Sequence, residues 1–238
     1  MDGIINLDKP AGISSARAVA RVKRLLPRGT KIGHAGTLDP FATGVLLLLV
    51  GKATKACERL MSEPKRYEAT IKLGATTATL DPESPEEPCG RGTGDPPVLE
   101  ASSHGQVARA TLEAVLPQFV GEIQQRPPAF SAMKVDGRRA YKIARAGETV
   151  ELEPRLVRVY GIELLDYDWP SLGVRIDCGR GTYVRAIARD VGEALGVGGY
   201  LTALRRTRVG PFDAAGAVTI ERLETDGVAA HLHPLEEQ

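Results

Sequence analysis

A single carboxylate, Asp39, stands in a glycine-rich stretch at residues 33–46, and His34 precedes it by five residues. Glycines permit backbone angles that other residues resist, and Pro40 fixes the turn directly after the carboxylate. The aliphatic run 45–50 that follows is typical of a strand buried on both faces. The pattern predicts a carboxylate held on a stiff loop beside the core, where an ionised acid can act as a base or a nucleophile.

The composition is that of a globular chain, and its 238 residues suffice for one large domain or two small ones. No run approaches 18 apolar residues, so no membrane span is predicted. The first ten residues lack the basic and apolar regions of a secretory signal. Three scattered cysteines, Cys57, Cys89 and Cys178, lack metal-ligand spacing and indicate reduced thiols. These features predict a cytoplasmic protein without a metal site.

The net charge of +1 conceals a strong segregation of charge along the chain. Residues 1–60 hold ten basic and four acidic side chains, and residues 124–145 hold six and one. Residues 80–100 and 221–238 are acidic. Of the 31 basic residues 22 are arginine, whose planar fork suits phosphate. Two interpretations remain open: solvated faces in an arginine-rich protein, or a basic cleft for an anionic polymer.

The loop must be positioned by the elements on either side of it. Apolar periodicity predicts strands near residues 4–7, 45–50, 65–73, 156–169, 172–178 and 200–209, and helices near residues 16–26, 53–61, 112–119, 139–146, 182–195 and 220–223. The order lacks a regular strand–helix alternation, which favours a mixed α+β fold. Residues 76–105 are rich in Pro, Gly, Glu, Ser and Thr, which predicts a mobile insertion without a core of its own.

Seven separated segments resemble one family, in that family's order. They are residues 6–15, 33–46, 51–55, 65–67, 126–134, 179–185 and 204–207. Together they are similar to bacterial tRNA pseudouridine-55 synthases of the TruB family, and the 14-residue loop around Asp39 is the most specific of them. The chain departs from the family at Phe130, where Tyr is expected. It ends near the point where the small C-terminal PUA-type RNA-binding domain of many members would start.

The resemblance implies a pseudouridine synthase catalytic domain over residues 1–238, without a PUA domain. Its fold would have a mixed, largely antiparallel central sheet, with flanking helices and loops forming a basic RNA-binding cleft. Its reaction detaches uracil from uridine 55 in the T-loop of tRNA, turns the base and rejoins it through carbon. That isomerisation consumes no redox equivalent, so no cofactor is expected.

The resemblance assigns the catalytic roles to three residues. Asp39 is the essential carboxylate, and it would attack C1′, add to the uracil ring or remove a proton from C2′. Arg185 matches the partner that keeps this carboxylate ionised, because a guanidinium retains its charge. Tyr67 would stack on the uracil and assist proton transfer.

The remaining roles concern the RNA. Leu204 and Tyr183 would complete the base pocket, and His34 would enter the T-loop and occupy the place of the flipped nucleotide. The candidate phosphate contacts are Lys9, Lys52, Lys55, Arg126, Lys134 and Arg205, which predicts strongly salt-dependent binding.

Three rival functions remain open at this stage. The chain could hold the T-arm as an RNA-binding or folding chaperone without catalysis, modify another RNA, or use Asp39 to release free uracil as a hydrolase. If the chain is a tRNA pseudouridine synthase, its expected partner is the T-arm stem-loop of tRNA, and the protein is expected to act as a monomer in the cytoplasm.

Overall fold

The computed structural model describes residues 1–89, 105–131, 133–135, 138–146, 148 and 152–235. The chain forms two compact units, one of residues 1–68 and 204–238 and one of residues 69–203. Within the described residues, no helix is long and apolar enough to cross a membrane.

The described strands are β1 (Gly3–Lys9), β2 (Ile32–Ala35), β3 (Thr43–Val50), β4 (Lys65–Leu73), β5 (Ala75–Thr77), β6 (Glu86–Pro88), β7 (Gly121–Gln125), β8 (Lys134–Val135), β9 (Arg138–Arg139), β10 (Arg155–Asp168), β11 (Ser171–Cys178), β12 (Gly199–Val209) and β13 (Phe212–Asp213). The helices are α1 (Ser15–Lys23), α2 (Cys57–Ser62), α3 (Gly105–Val115), α4 (Ala140–Arg145), α5 (Val184–Ala194) and α6 (Ile220–Asp226). Short 3₁₀ segments at Gly51–Ala56 and Leu116–Phe119 adjoin α2 and α3.

The first unit is built around β3. β1 pairs with β3 antiparallel from Gly3↔Val50 to Lys9↔Gly44, β2 pairs antiparallel with its second half, and β12 runs parallel to its start. Seven of the eight β3 residues are buried. The aliphatic run therefore forms a strand covered on both faces, as the sequence predicts.

The second unit carries the sheet order β4-β11-β10-β7. β10 is antiparallel to both β11 and β7. Helix α5 is amphipathic, and one of its faces is buried. Gly192 on α5 lies close to the start of β12, because a Cβ at residue 192 would be 2.2 Å from the carbonyl carbon of Gly198. The predicted α+β class, with a largely antiparallel sheet, is confirmed.

The predicted insertion at residues 76–105 was wrong in its first half. β5 and β6 pair in a two-stranded hairpin, and the turn between them contains a carboxylate, Asp81, that is 2% exposed. A run rich in Thr, Ser and Pro was interpreted as mobile because its polar residues lack apolar periodicity. Here those polar side chains bond to one another instead. Residues 90–104 lie outside the described part of the chain.

Candidate active site

Asp39 lies half-buried in the connection between β2 and β3, within the first unit. Its carbonyl accepts the Ala42 amide at 3.2 Å, which closes a turn directly after the carboxylate. The carbonyl of Pro40 accepts the Gly12 amide at 2.9 Å, which joins the loop to the turn after β1. The predicted positioned carboxylate therefore sits on a backbone that is hydrogen-bonded on both sides.

Ser15 ties the same loop to the start of α1. Its hydroxyl donates to the Leu38 carbonyl at 3.0 Å and accepts the Leu38 amide at 2.8 Å, and both contacts are buried. Ser14, the preceding residue, caps α1 by accepting the Arg17 amide at 3.2 Å. Two consecutive serines thus begin the helix and fix the residue before Asp39.

Lys9 is fully buried at the end of β1, although a phosphate contact was predicted for it. Its ammonium donates to the carbonyls of Pro10, Ile13 and Pro40 at 2.7, 2.8 and 3.2 Å. The three carbonyl oxygens accept the protons of the ammonium, so its donors are not left unsatisfied in the interior. The structure therefore gives Lys9 a role in holding the loop and does not support a contact with phosphate.

His34 lies on β2, at the start of the loop stretch, and is half-buried. Burial lowers the pKa of its imidazole, and the charge of Arg206 lowers it further. Its Nδ1 is buried and has no hydrogen-bond partner among the described residues. The lowered pKa favours the neutral ring at neutral pH.

Tyr67 and Leu204 both belong to the first unit, and both are more than nine-tenths buried. Tyr67 lies on the alternating buried face of β4, and Leu204 lies on β12. The burial is compatible with the predicted apolar pocket, and their contact with a base stays a prediction.

Arg205 on β12 is engaged by a carboxylate in the first unit. Its two terminal nitrogens lie 3.1 and 2.8 Å from the two oxygens of Asp8, and this bond raises the pKa of the guanidinium. The side chain of Arg205 remains 39% exposed. A phosphate bound here would share the guanidinium with Asp8.

Arg185 is buried in the first turn of α5, in the second unit. Its terminal nitrogens donate to the carbonyls of Thr79 and Phe130 at 2.8 and 3.0 Å, and one lies 3.2 Å from a carboxylate oxygen of Asp81. The predicted pairing of Arg185 with Asp39 stays a prediction.

Asp81 is a buried carboxylate beside Arg185 that the sequence interpretation missed. Its second carboxylate oxygen accepts the Thr79 hydroxyl at 2.5 Å and the Glu83 amide at 3.0 Å. The Asp81 amide donates a hydrogen bond to the Thr77 hydroxyl, and this hydroxyl donates one to the Asp81 carbonyl. No local pattern in the sequence marks Arg185 as buried, so nothing pointed to a second acid beside it.

Tyr183 precedes α5 and is held by a buried amide. Gln125 accepts the Tyr183 amide at 2.8 Å and donates to its carbonyl at 3.2 Å. Arg126 follows and is exposed, while its own carbonyl accepts a bond from Arg189. The side chain of Lys134 lies outside the described part of the structure.

An open depression in the first unit gathers cations from two segments, Arg28–Lys31 and 51–55. Arg28, Lys31, Lys52 and Lys55 line it and form no ion pair with the described residues. Asp2 also lines it, but its carboxylate accepts the Lys52 amide at 2.7 Å. The surface is therefore strongly cationic. In the described ranges no group of three His, Cys, Asp or Glu residues could hold a metal ion.

Comparison with known proteins gives matches over nearly the whole chain. Residues 23–184 match the model of the TruB family pseudouridylate synthase N-terminal domain, and residues 185–237 match that of the tRNA pseudouridylate synthase B C-terminal domain. A tRNA pseudouridine synthase B from Pseudomonas fluorescens is 47% identical over 94% of this chain and 69% of its own length. One from Azoarcus sp. is 45% identical over 96% and 72%.

Solved structures also resemble the chain. The match to a crystal structure of a Cbf5-Nop10-Gar1 complex has a TM-score of 0.67 and 32% identity over 94% of this chain. The match to an H/ACA RNP bound to a substrate RNA containing 2′-deoxyuridine has a TM-score of 0.64 and 29% identity, also over 94%. This chain spans 56% and 55% of the lengths of those two chains.

Proposed function

Because this chain belongs to the TruB family of pseudouridylate synthases, we propose that it isomerises uridine 55 in the T-loop of tRNA to pseudouridine. The observation that carries the proposal is Asp39, the one acidic residue of the stretch 33–46, on a loop that Lys9 and Ser15 hold in place. Proximity chemistry needs such a fixed geometry, since a small displacement of a reacting group costs large factors in rate.

The reaction balances without an external reagent. The N1–C1′ bond of uridine breaks, a C5–C1′ bond forms, and the proton leaving C5 is exchanged for one gained at N1. Asp39 has three open roles in the first step: attack on C1′, addition to the ring, and removal of the C2′ proton. Each requires the ionised carboxylate. The chain needs no cofactor under this proposal.

Arg185 would supply the fixed positive charge for that carboxylate. Its guanidinium is itself oriented by Asp81, Thr79 and Phe130, so its donors point in set directions. An arginine held in this way cannot swing away when RNA is absent, which keeps the charge ready for the reaction.

The base pocket would combine Tyr67, Leu204 and Tyr183. Tyr67 and Leu204 offer buried apolar surface, and Gln125 fixes the backbone of Tyr183 on both sides. An aromatic face that stacks on uracil is sequence-tolerant by itself. Specificity for one uridine would therefore come from the shape of the T-arm.

His34 would enter the T-loop when the target nucleotide flips out. Flipping costs a few kcal/mol, and a side chain that fills the vacated place offsets part of that cost. A neutral ring suits stacking among bases, and burial with the nearby Arg206 lowers the pKa of His34 accordingly.

Cations on both units would contact the RNA backbone. The exposed Arg126, the half-exposed Arg205 and the four cations of the depression, which include Lys52 and Lys55, support this. A contact at Lys134 stays a prediction. Salt should weaken binding in proportion to the number of phosphates contacted.

We propose a monomer acting in the cytoplasm, with tRNA as its macromolecular partner. The relatives named tRNA pseudouridine synthase B share 45–47% sequence identity with this chain, whereas the Cbf5 chain shares 32%. The higher identity to the relatives named for tRNA favours tRNA as the substrate.

A tritium-release assay tests the function. The protein receives a T-arm stem-loop whose target uridine carries tritium at C5, and isomerisation releases the label into water. We expect release by the native protein and none by Asp39→Asn, while binding of the stem-loop persists in both.

The alternatives give different results. If the native protein binds the stem-loop but releases no tritium, the hypothesis of an RNA-binding or folding chaperone remains. Label recovered as free uracil would identify a hydrolase. Release from a ribosomal fragment but not from the T-arm would indicate another RNA substrate.

A further inference from the structure

Arg206 lies next to Arg205 on β12 but is 1% exposed, and apart from its effect on the His34 pKa it has no role so far. Its Nε donates to the Val45 carbonyl at 2.7 Å, and its Nη2 donates to the Gly36 carbonyl at 3.1 Å. These two carbonyls stand on opposite sides of Asp39 in the chain. One side chain thus bonds to both ends of the loop that carries the carboxylate.

The backbone of Arg206 holds the same loop at a third point. Arg206 pairs with Gly44 in the parallel ladder of β12 and β3. Gly44 has a φ of +97°, and a Cβ there would lie 2.2 Å from the Arg206 carbonyl oxygen. The end of the loop therefore passes Arg206 at a distance that only glycine permits.

The charge of Arg206 has no partner of opposite sign in the described parts of the chain. Arg205, beside it, is bound by Asp8, and Arg185 is bound by Asp81. Burying a guanidinium without a carboxylate is costly even when carbonyls accept its protons. Arg206 therefore leaves a net positive potential within the loop, and the lowered pKa of His34 reflects it.

We propose that Arg206 is the positioning residue of the Asp39 loop. Its guanidinium holds Gly36 and Val45, so that the carboxylate between them is presented to the nucleotide in one orientation. The positive charge of its guanidinium also raises the electrostatic potential at the loop that carries Asp39. The proposal rests on the proposed function, because it assigns Arg206 a part in presenting Asp39.

The test compares Arg206→Met and Arg206→Lys with Arg208→Met. Arg208 is exposed on the same strand and donates to the Gly210 carbonyl, outside the loop. Tritium release from the T-arm stem-loop gives kcat and KM separately. We expect kcat to fall about 100-fold in Arg206→Met, the loss typical of a displaced catalytic group, with KM within about twofold. Arg206→Lys should recover part of kcat, and Arg208→Met should match the native protein.

Two measurements without RNA separate positioning from general loss of structure. The His34 pKa, followed by NMR, should rise in Arg206→Met, stay near the native value in Arg206→Lys and be unchanged in Arg208→Met. Hydrogen exchange should quicken at residues 37–43 in both Arg206 variants, with other amides unaffected.

Native kcat in Arg206→Met would overturn the proposal. So would exchange that quickens throughout the first unit, because that result assigns Arg206 to overall stability. If Arg206→Met does not fold, Arg206→Lys decides: native kcat and native loop exchange would also overturn it. If the native protein releases no tritium, the proposed function fails, while the titration and the exchange still test the hold on the loop.

Discussion

At the scale of single residues, ionic and polar contacts within each unit define the candidate site. Asp39 was predicted from its loop, but the groups that hold the loop, Lys9 and Ser15, are buried and bond to backbone carbonyls. Lys9 had been assigned to phosphate because a lysine in a basic segment is ordinarily at the surface. Sequence alone does not reveal that its ammonium turns inward.

Asp81 provides a prediction at this scale. Asp81→Asn removes the buried negative charge that lies 3.2 Å from the Arg185 guanidinium. We expect the free energy of unfolding to fall by about 3 kcal/mol, the lower end for a broken buried pair. Tritium release should fall with it under conditions where the variant is folded.

The matched control is Glu87→Gln, an exposed carboxylate on the same hairpin. Urea unfolding and single-turnover release measure the two effects. Equal behaviour of the two variants would show that the Asp81 carboxylate does not orient Arg185.

At the scale of elements, apolar periodicity predicted six strands (β1, β3, β4, β10, β11 and β12) and the helices α4 and α5 within two residues at either end, and it missed the bounds of the other helices by more. β4 has the predicted bounds, and β10 and β11 form the predicted antiparallel pair. The helix predicted near 112–119 begins earlier, at Gly105, and ends as a 3₁₀ segment after Val115. The β5–β6 hairpin escaped prediction because polar contacts, rather than an apolar stripe, hold it.

The packing of α5 on β12 gives a prediction for an element. Gly192→Ala adds a methyl group that would lie 2.2 Å from the Gly198 carbonyl carbon, so the helix carrying Arg185 must move. Alanine is favoured over glycine in a helix by about 1 kcal/mol. We nevertheless expect the free energy of unfolding to fall by about 1–3 kcal/mol in total, because the added methyl group overpacks the contact.

Gly161→Ala on β10 is the control, because nothing lies within 4 Å of a Cβ there. Thermal unfolding measures both variants. A Gly192→Ala protein at least as stable as the native one would refute the close packing.

At the scale of the whole molecule, the near-neutral net charge hides the cations expected to meet RNA. Arg126 in the second unit is exposed and forms no ion pair with the described residues. The cations of the depression in the first unit likewise form none with the described residues. Several other arginines are held by carboxylates, such as Arg109 by Glu113. Free cations, rather than the total charge, set the number of phosphates that can be bound.

Salt dependence tests that statement. In a plot of log binding constant against log salt concentration, Arg126→Gln should reduce the magnitude of the slope by about 1. Arg109→Gln, which removes a cation already paired with Glu113, should leave the slope unchanged. Filter binding of the T-arm stem-loop at several salt concentrations gives the slopes, and equal slopes for the two variants would refute a phosphate contact at Arg126.

The sequence by itself determined the α+β class, the buried β3 strand and the position of Asp39 on a glycine-rich loop. These follow from local rules: apolar periodicity, turn residues and a motif that is continuous in the chain. The tertiary structure decided what holds that loop and what orients Arg185, since Lys9, Arg206 and Asp81 act on residues distant in sequence. Whether a charged side chain faces water or a buried carbonyl depends on which segments pack around it, and no local pattern records that.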